Sequence, residues 1–404
     1  MNEIDAFIEF KSLLNSLQPY SIDLSLDRTK FILEKLGNPQ NNFQSIIIGG
    51  TNGKGSVCQF LTDVLIDAGL RVGTYTSPHL IQINERFKVN NIPVNYSTLL
   101  KSARYIHKNM FNTKLTYFEF LTVLAFMVFK DFNIKYAVLE VGMGGEFDAV
   151  NVVKPILSIL TRISLDHEEY LGKTHQEIAQ TKAKIMKNIG VVGKNSKTVT
   201  EIIRKNSTSK LFFVDDSYKR KANSINISMY GISVRENLST ALLSIDVLNK
   251  YYDLNLKYEP LKKSFWPGRF EVIESKDKTY ILDGAHNKNA VSKLVLSIQK
   301  YKNMVLIFSA LNRKDWKNNL KILMPHFSKI KLTKISYHNF SADLESLKNF
   351  LIEQEYKGKV EIFENVNEAI WSTFYEEDKT YVISGSLYLV GEAKSCYLSN
   401  LFLP

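Results

Sequence analysis

Residues 46–56 read IIIGGTNGKGS. A short apolar run, Ile46 to Ile48, opens into a loop of four glycines and one lysine. That order suits a strand ending in a phosphate-binding loop. Gly49, Gly50, Gly53 and Gly55 let the backbone turn tightly and aim N–H groups at an anion. Lys54 can reach the outer phosphates. The run after it, VCQFLTDVLIDAG, reads as a helix whose N-terminus faces the same anion. The common pattern places Ser or Thr directly after the lysine. Here Gly55 follows Lys54 and Ser56 comes one place later. The stretch predicts a site for a nucleoside triphosphate.

Working outward, strand-like runs alternate with helix-like runs. QSIIIGG, RVGTYT, KYAVLEVG and PILSILTRI read as strands at 44–50, 71–76, 135–142 and 155–163. Such alternation predicts a parallel sheet flanked by helices, with ligands beyond the carboxyl ends of the strands. A second series begins after WPGR: FEVIE, TYILDGAHN, NMVLIFSAL, KIKLTKIS and TYVISGS. A boundary near Pro267 and Gly268 divides the chain into domains 1–267 and 268–404, which are expected to face each other across a cleft. The stretch 190–235 is polar and rich in Lys, Asn and Ser, and reads as irregular or weakly stranded surface.

Composition narrows the class. At 404 residues the chain has room for two or three domains, and its 45% hydrophobic and 23% charged content is that of a soluble globular protein. The stretch MNEIDAFIEFKSLLNSL carries acids where a signal peptide carries bases, so a cytoplasmic location is expected. The longest uncharged apolar run, Phe120 to Phe129, is too short to span a bilayer. Two distant cysteines, Cys58 and Cys396, suit a reducing compartment. The net charge of +11 comes from 52 basic and 41 acidic residues without a block of like charge. That scatter favours anionic small substrates over nucleic acid.

Several residues carry candidate chemistry. Glu140 ends a strand, where an acid commonly holds Mg²⁺. Asp166 and His167 follow the next strand, and His167 can ligate a metal or pair with a carboxylate. TSPHLIQINERF at 76–87 packs Ser77, His79, Glu85 and Arg86 together, and Ser77 offers a hydroxyl to Mg²⁺ or phosphate. Glu119 is the lone charge in an apolar helix, and a buried carboxylate demands a partner. Arg269, Asp283 and His286 mark the second series. Arg269 could reach phosphates, and Asp283 could accept ribose hydroxyls.

Taken together, these segments resemble the folylpolyglutamate synthase/dihydrofolate synthase family of the Mur-ligase superfamily. The resemblance rests on GTNGKGS (50–56), TSPHL (76–80), YFEFLT (117–122), EVGMGGEFDAVNV (140–152), LDHEEYLGKTHQEIA (165–179), WPGRFEV (266–272), DGAHN (283–287) and SGSLYLVGE (384–392), with DLSLDR (23–28) resembling its N-terminal substrate loop. It implies a P-loop, Mur-ligase-type α/β domain with the pterin site, plus a smaller Rossmann-like C-terminal α/β domain. It implies ATP-driven joining of L-glutamate to a pterin carboxylate, either dihydropteroate or a folate tail, through an acyl phosphate. Gly50, Thr51, Asn52, Gly53, Lys54, Gly55, Ser56, Asn237, Arg269 and Asp283 would bind ATP. Ser77, Glu140 and His167 would hold Mg²⁺. Lys54, Lys182 and His286 would serve catalysis, with Lys182 where the family carries a carbamylated lysine. The acceptor would meet Asp23, Leu24, Arg28, Phe118, Glu119, Phe147 and Asp148. The family suggests a monomer.

Three places depart from the family pattern. Glu146 stands where arginine is usual in GGRLD, Thr181 and Lys184 flank Lys182 where EKAG is usual, and Ser233-Val234 replace His-Gln before Asn237. Two other readings remain: another Mur-superfamily amino-acid ligase of the cell-wall type, and an NTP-dependent nucleic-acid-binding protein. The former usually carries GKT or GKS rather than GKGS.

Overall fold

A computed structural model describes residues 2–17, 25–110, 112–275, 277–336 and 340–400, the last four of these without side chains. Asp23 and Leu24 lie outside the described residues. The chain forms two compact units, one of Met1–Ile227 with Arg235–Ser264, the other of Ser228–Val234 with Phe265–Pro404.

The first unit is built on eight strands: β1 (Gln44–Gly49), β2 (Val72–Tyr75), β3 (Phe87–Val89), β4 (Ile92–Pro93), β5 (Tyr136–Glu140), β6 (Leu157–Leu160), β7 (Ile189–Val192) and β8 (Lys210–Phe213). Their order is β4-β3-β2-β5-β1-β6-β7-β8. The β2–β3–β4 edge is antiparallel and the other pairings are parallel. Ile46, Ile47 and Ile48 are fully buried, as a central parallel strand covered on both faces requires. β1 pairs with β5 on one side and β6 on the other, placing Ile48 beside Glu140 and Gly49 beside Leu160. The ends of β5 and β6 therefore flank the glycine loop.

The helix after β1 starts at Lys54, earlier than the apolar run suggests, and runs Lys54–Asp67. Gly53 caps it at φ +95°, and Gly69 follows it at φ +75°, the left-handed conformation that commonly ends a helix. The helix Tyr117–Asp131 is buried from Glu119 to Phe129, so its apolar circumference forms core. The expectation for 190–235 is corrected. That stretch holds β7, β8 and the helices Lys197–Lys205 and Asp216–Ser224. The first of these helices buries only Val199 and Ile203 and the second only Ala222, so average polarity concealed the order.

The second unit has six strands: β9 (Glu271–Ser275), β10 (Lys278–Asp283), β11 (Met304–Phe308), β12 (Lys329–Thr333), β13 (Lys359–Phe363) and β14 (Thr380–Ser384), in the order β13-β12-β11-β14-β10-β9. Only β9 pairs antiparallel. Its core includes Ile281, Leu306, Phe308, Leu332 and Val382. Among the described residues no helix is long and apolar enough to cross a membrane.

Candidate active site

The glycine loop is fastened by its own polar groups. The amides of Thr51 and Asn52 donate to Arg162 O at 2.8 and 3.3 Å. Thr51 Oγ1 donates to Ser164 O at 2.9 Å, and Asn52 Nδ2 to Ser164 Oγ at 3.2 Å. These bonds tie the loop to the segment that leads into Asp166 and His167. The first helical bond runs from Val57 N to Gly53 O at 3.1 Å, so the amides of Lys54, Gly55 and Ser56 are the open donors of the helix N-terminus. A Cβ on Gly53 would fall 2.1 Å from Asn237 Oδ1, and one on Gly50 would fall 2.0 Å from Thr161 Oγ1. Glycine is required at both, and Asn237 lies against the loop.

Two lysines meet at this loop. Among the described residues Lys54 Nζ makes only long bonds, 3.4 Å to Gly50 O and 3.5 Å to Thr51 O, and lies 3.9 Å from Glu140 Oε1. Lys182 is 4% exposed and donates to Gly50 O at 3.1 Å. Burial pushes its pKa down to about 7, and Lys54 adds to that, against the pull of Asp166 and Asp148. A lysine so placed holds a large share of neutral, nucleophilic amine near neutral pH.

Glu140 Oε2 accepts the Ser77 amide at 3.0 Å, so two of the expected metal-binding residues meet. His167 has φ +52°, and its Nε2 lies 3.8 Å from Asp166 Oδ2. Among the described residues no three His, Cys, Asp or Glu side chains converge as a metal cluster. The expected trio contains only two groups of those types, plus a hydroxyl.

An aromatic wall borders this end of the sheet. Tyr75 lies 5.6 Å from Phe87 and 6.1 Å from Phe118 between ring centroids. A Cβ on Gly142 would overlap Phe118 Cζ at 2.4 Å, so the loop after β5 presses on that ring. Asp148, 7% exposed, closes this loop by accepting from Met143 N at 2.9 Å and Val150 N at 3.0 Å. Burial nevertheless raises its pKa to about 6. Phe147 is 42% exposed beside it. Glu146 fixes this loop through its backbone carbonyl, which accepts from Asn151 Nδ2 at 3.1 Å.

The partner that Glu119 demands is Arg28. Arg28 Nη2 lies 3.1 Å from both carboxylate oxygens. Glu119 Oε2 also accepts Thr116 N at 2.7 Å, completing a capping box. Its oxygens are therefore engaged in bracing the helix end, and the pairing spans a sequence separation of 91 residues.

In the second unit, Asp283 accepts Phe270 N at 2.8 Å and Ala285 N at 2.9 Å. Burial pushes its pKa up, while Arg269, those two amides and His286 pull it down. Arg269, Asp283 and His286 thus share one electrostatic neighbourhood. His286 Nδ1 bonds Gly284 O at 2.8 Å, and Asn287 caps the helix Lys288–Ile298. Asn319, 2% exposed, holds His286 O at 2.9 Å. No sequence signal marked Asn319, since its role comes from a helix 33 residues away.

Comparison with known proteins identifies the family. Residues 48–239 match the family described as Mur ligase middle domain, and residues 269–395 that described as dihydrofolate synthetase, C-terminal domain. The dihydrofolate synthetase of Saccharomyces cerevisiae is 31% identical over 94% of this chain and 99% of its own. The Bacillus subtilis dihydrofolate synthase/folylpolyglutamate synthase is 28% identical over 96% and 98%. A crystal structure of the Yersinia pestis bifunctional folylpolyglutamate synthase/dihydrofolate synthase, complexed with AMPPNP and a Mn ion, superposes with a TM-score of 0.85 at 25% identity, covering 97% of this chain and 98% of that one. The chain belongs to the dihydrofolate synthase/folylpolyglutamate synthase family, on the Mur-ligase fold.

Proposed function

We infer that this chain is an ATP-dependent ligase that joins L-glutamate to the carboxylate of dihydropteroate, releasing ADP and phosphate. The observation that carries the reading is the fastened glycine loop, with Lys54 facing Glu140 and Lys182 bonded to Gly50. The match of residues 269–395 to a dihydrofolate synthetase domain supports the acceptor. A carboxylate is a poor electrophile, and phosphoryl transfer from ATP turns it into an acyl phosphate. The glutamate amine then attacks the acyl carbon, and phosphate leaves. Gly50 to Ser56 would cradle the triphosphate, and Lys54 would neutralise charge that develops during transfer. Asn237, Arg269 and Asp283 would hold the nucleotide, and His286 would act near the phosphate or amino acid.

The buried Glu140 carboxylate, which accepts the Ser77 amide, suits a hard divalent cation, and the Ser77 hydroxyl and His167 imidazole would complete the donor set. Magnesium bound there would offset phosphate charge. Lys182, with its lowered pKa, suits carbamylation, which would turn it into an anion beside that position. Phe118, Phe147 and Asp148 would receive the pterin, and Arg28 with Glu119 would hold the wall behind it. The enzyme is expected to act as a cytoplasmic monomer without nucleic acid.

The test is ATP consumption with Mg²⁺ and L-glutamate, comparing dihydropteroate with tetrahydrofolate and following products by mass. Gain of one glutamate on dihydropteroate, with ADP released, is the expected result. Gain on tetrahydrofolate alone would move the acceptor to the folate tail. Gain on neither would overturn the ligase reading.

A further inference from the structure

Arg86 is a buried cation that meets a histidine rather than an acid among the described residues. It closes the short turn Ile83–Arg86 and is 7% exposed. Its Nε donates to His79 Nδ1 at 2.9 Å. Among the described residues it forms no ion pair. The neighbouring Glu85 is occupied, accepting the amides of Leu80, Ile81 and Gln82 at 2.8, 3.0 and 2.8 Å. A guanidinium cannot lose its proton to escape burial, and buried charges are normally paired. His79 does not pair it: an Nδ1 that accepts from Arg86 leaves the ring proton on Nε2 and the imidazole neutral.

The position of Arg86 limits what anion it could take. Its carbonyl accepts the Thr76 amide at 3.1 Å, one residue before the Ser77 amide that binds Glu140. The next residue, Phe87, belongs to the aromatic wall with Tyr75. The Tyr75 hydroxyl feels the charges of both Arg86 and Asp148. The backbone of Arg86 is thus fixed beside the Thr76–Ser77 segment that bonds Glu140, and its charge is felt at Tyr75 in the wall that would receive a flat ring. A substrate with an aromatic body and one terminal carboxylate would bring its anion to this point.

We propose that Arg86 binds the acceptor carboxylate that is to be phosphorylated, supplying a positive charge distinct from that of Lys54, which lies against the carbonyls of the glycine loop. This rests on the ligase reading. A planar guanidinium can grip a carboxylate with two parallel bonds, and it favours the same oxygen atoms once they carry phosphate. The incoming glutamate also carries carboxylates, so the test separates the two.

Affinities of the full-length protein for dihydropteroate and for its carboxamide are measured by calorimetry with a non-hydrolysable ATP analogue. Wild type is expected to prefer the carboxylate by about tenfold or more, the scale of one charge-assisted pair. Equal affinities in wild type would overturn the proposal without any variant. Arg86→Met should erase the preference, keep nucleotide affinity, and raise KM for dihydropteroate while KM for glutamate holds. A rise in KM for glutamate alone would assign the guanidinium to the donor and overturn it. Wild-type turnover with a variant unchanged in acceptor KM would sink this inference alone. Wild type that ligates nothing would sink the ligase reading beneath it.

Discussion

At the scale of single residues, charge and burial make the sharpest predictions. Lys54→Ala should lose ligation by about 10³-fold, the cost of one preorganised charge partner, with an unchanged circular dichroism spectrum. Retained turnover would remove the phosphate-loop assignment. Lys182 links pH to stability. Its native pKa is pushed down to about 7, so between that value and the ordinary lysine range the unfolded chain holds a proton that the native chain has released. Stability contributed at this site therefore rises with pH across that window. Lys182→Met should flatten that rise in urea unfolding measured at successive pH values. The same variant should also lose any stimulation by bicarbonate, because a carbamate needs the free amine. Glu146 concerns the acceptor. It lies on the loop between Gly145, packed on the helix of Lys182, and the buried Asp148. An acid there repels a glutamylated, more anionic acceptor. Glu146→Arg should raise kcat/KM for tetrahydrofolate relative to dihydropteroate, read from paired initial rates. An unchanged ratio would remove the residue from acceptor choice.

At the scale of elements, sequence legibility followed burial. β1, β2, β5 and β6 were readable because fully covered parallel strands are continuous apolar runs. β8 and β13 escape the reading as edge strands with no buried position, and the buried β7 escapes it because IGVV is short and leads into a polar, Lys- and Asn-rich stretch. KVEIF alternates lysine and glutamate with apolar residues, and no position of β13 is fully buried. The β3–β4 hairpin was missed for its brevity, with only Ile92–Pro93 in its last strand. The site divided in the same way. Motifs marked the glycine loop, Glu140 and the 283–287 loop because their chemistry is local in sequence. The Arg28–Glu119 pair, the bond from Asn319 to His286 and the anion-free burial of Arg86 arise only when distant elements meet. The first of these is testable as a clamp on the helix Tyr117–Asp131. Arg28→Met leaves a mostly buried carboxylate with the helix cap and Thr29 at 3.4 Å, which should cost about 1–3 kcal/mol. Urea unfolding should show a lower midpoint with an unchanged slope. An unaltered midpoint would mean that the cap alone carries Glu119.

At the scale of the whole molecule, the question is what a net charge of +11 is for. Many cations are already neutralised where they stand. In the first unit Arg104 pairs with Glu9, Arg162 with Glu236 and Lys219 with Asp216. In the second, Lys329 and Lys331 share Glu376, and Lys359 and Lys394 bind Glu361 and Glu271. Such local pairing removes the long basic stripe that a phosphate backbone would need. Meanwhile Lys54, Lys182 and Arg86 are nine-tenths buried or gathered at the glycine loop, suited to a compact polyanion rather than a duplex. The expected behaviour is weak, sequence-blind binding of labelled duplex DNA or RNA at about 50 mM salt, fading by about 200 mM as released counterions lose their entropic advantage. ATP turnover should depend on pterin and glutamate and ignore added nucleic acid. Anisotropy titrations across salt, paired with ADP release, separate the cases. Binding that survives the higher salt, with ADP release driven by nucleic acid in the absence of pterin, would place the charge on a nucleic-acid surface. Loss of binding with pterin-dependent turnover intact would place it in the active site and in locally paired side chains.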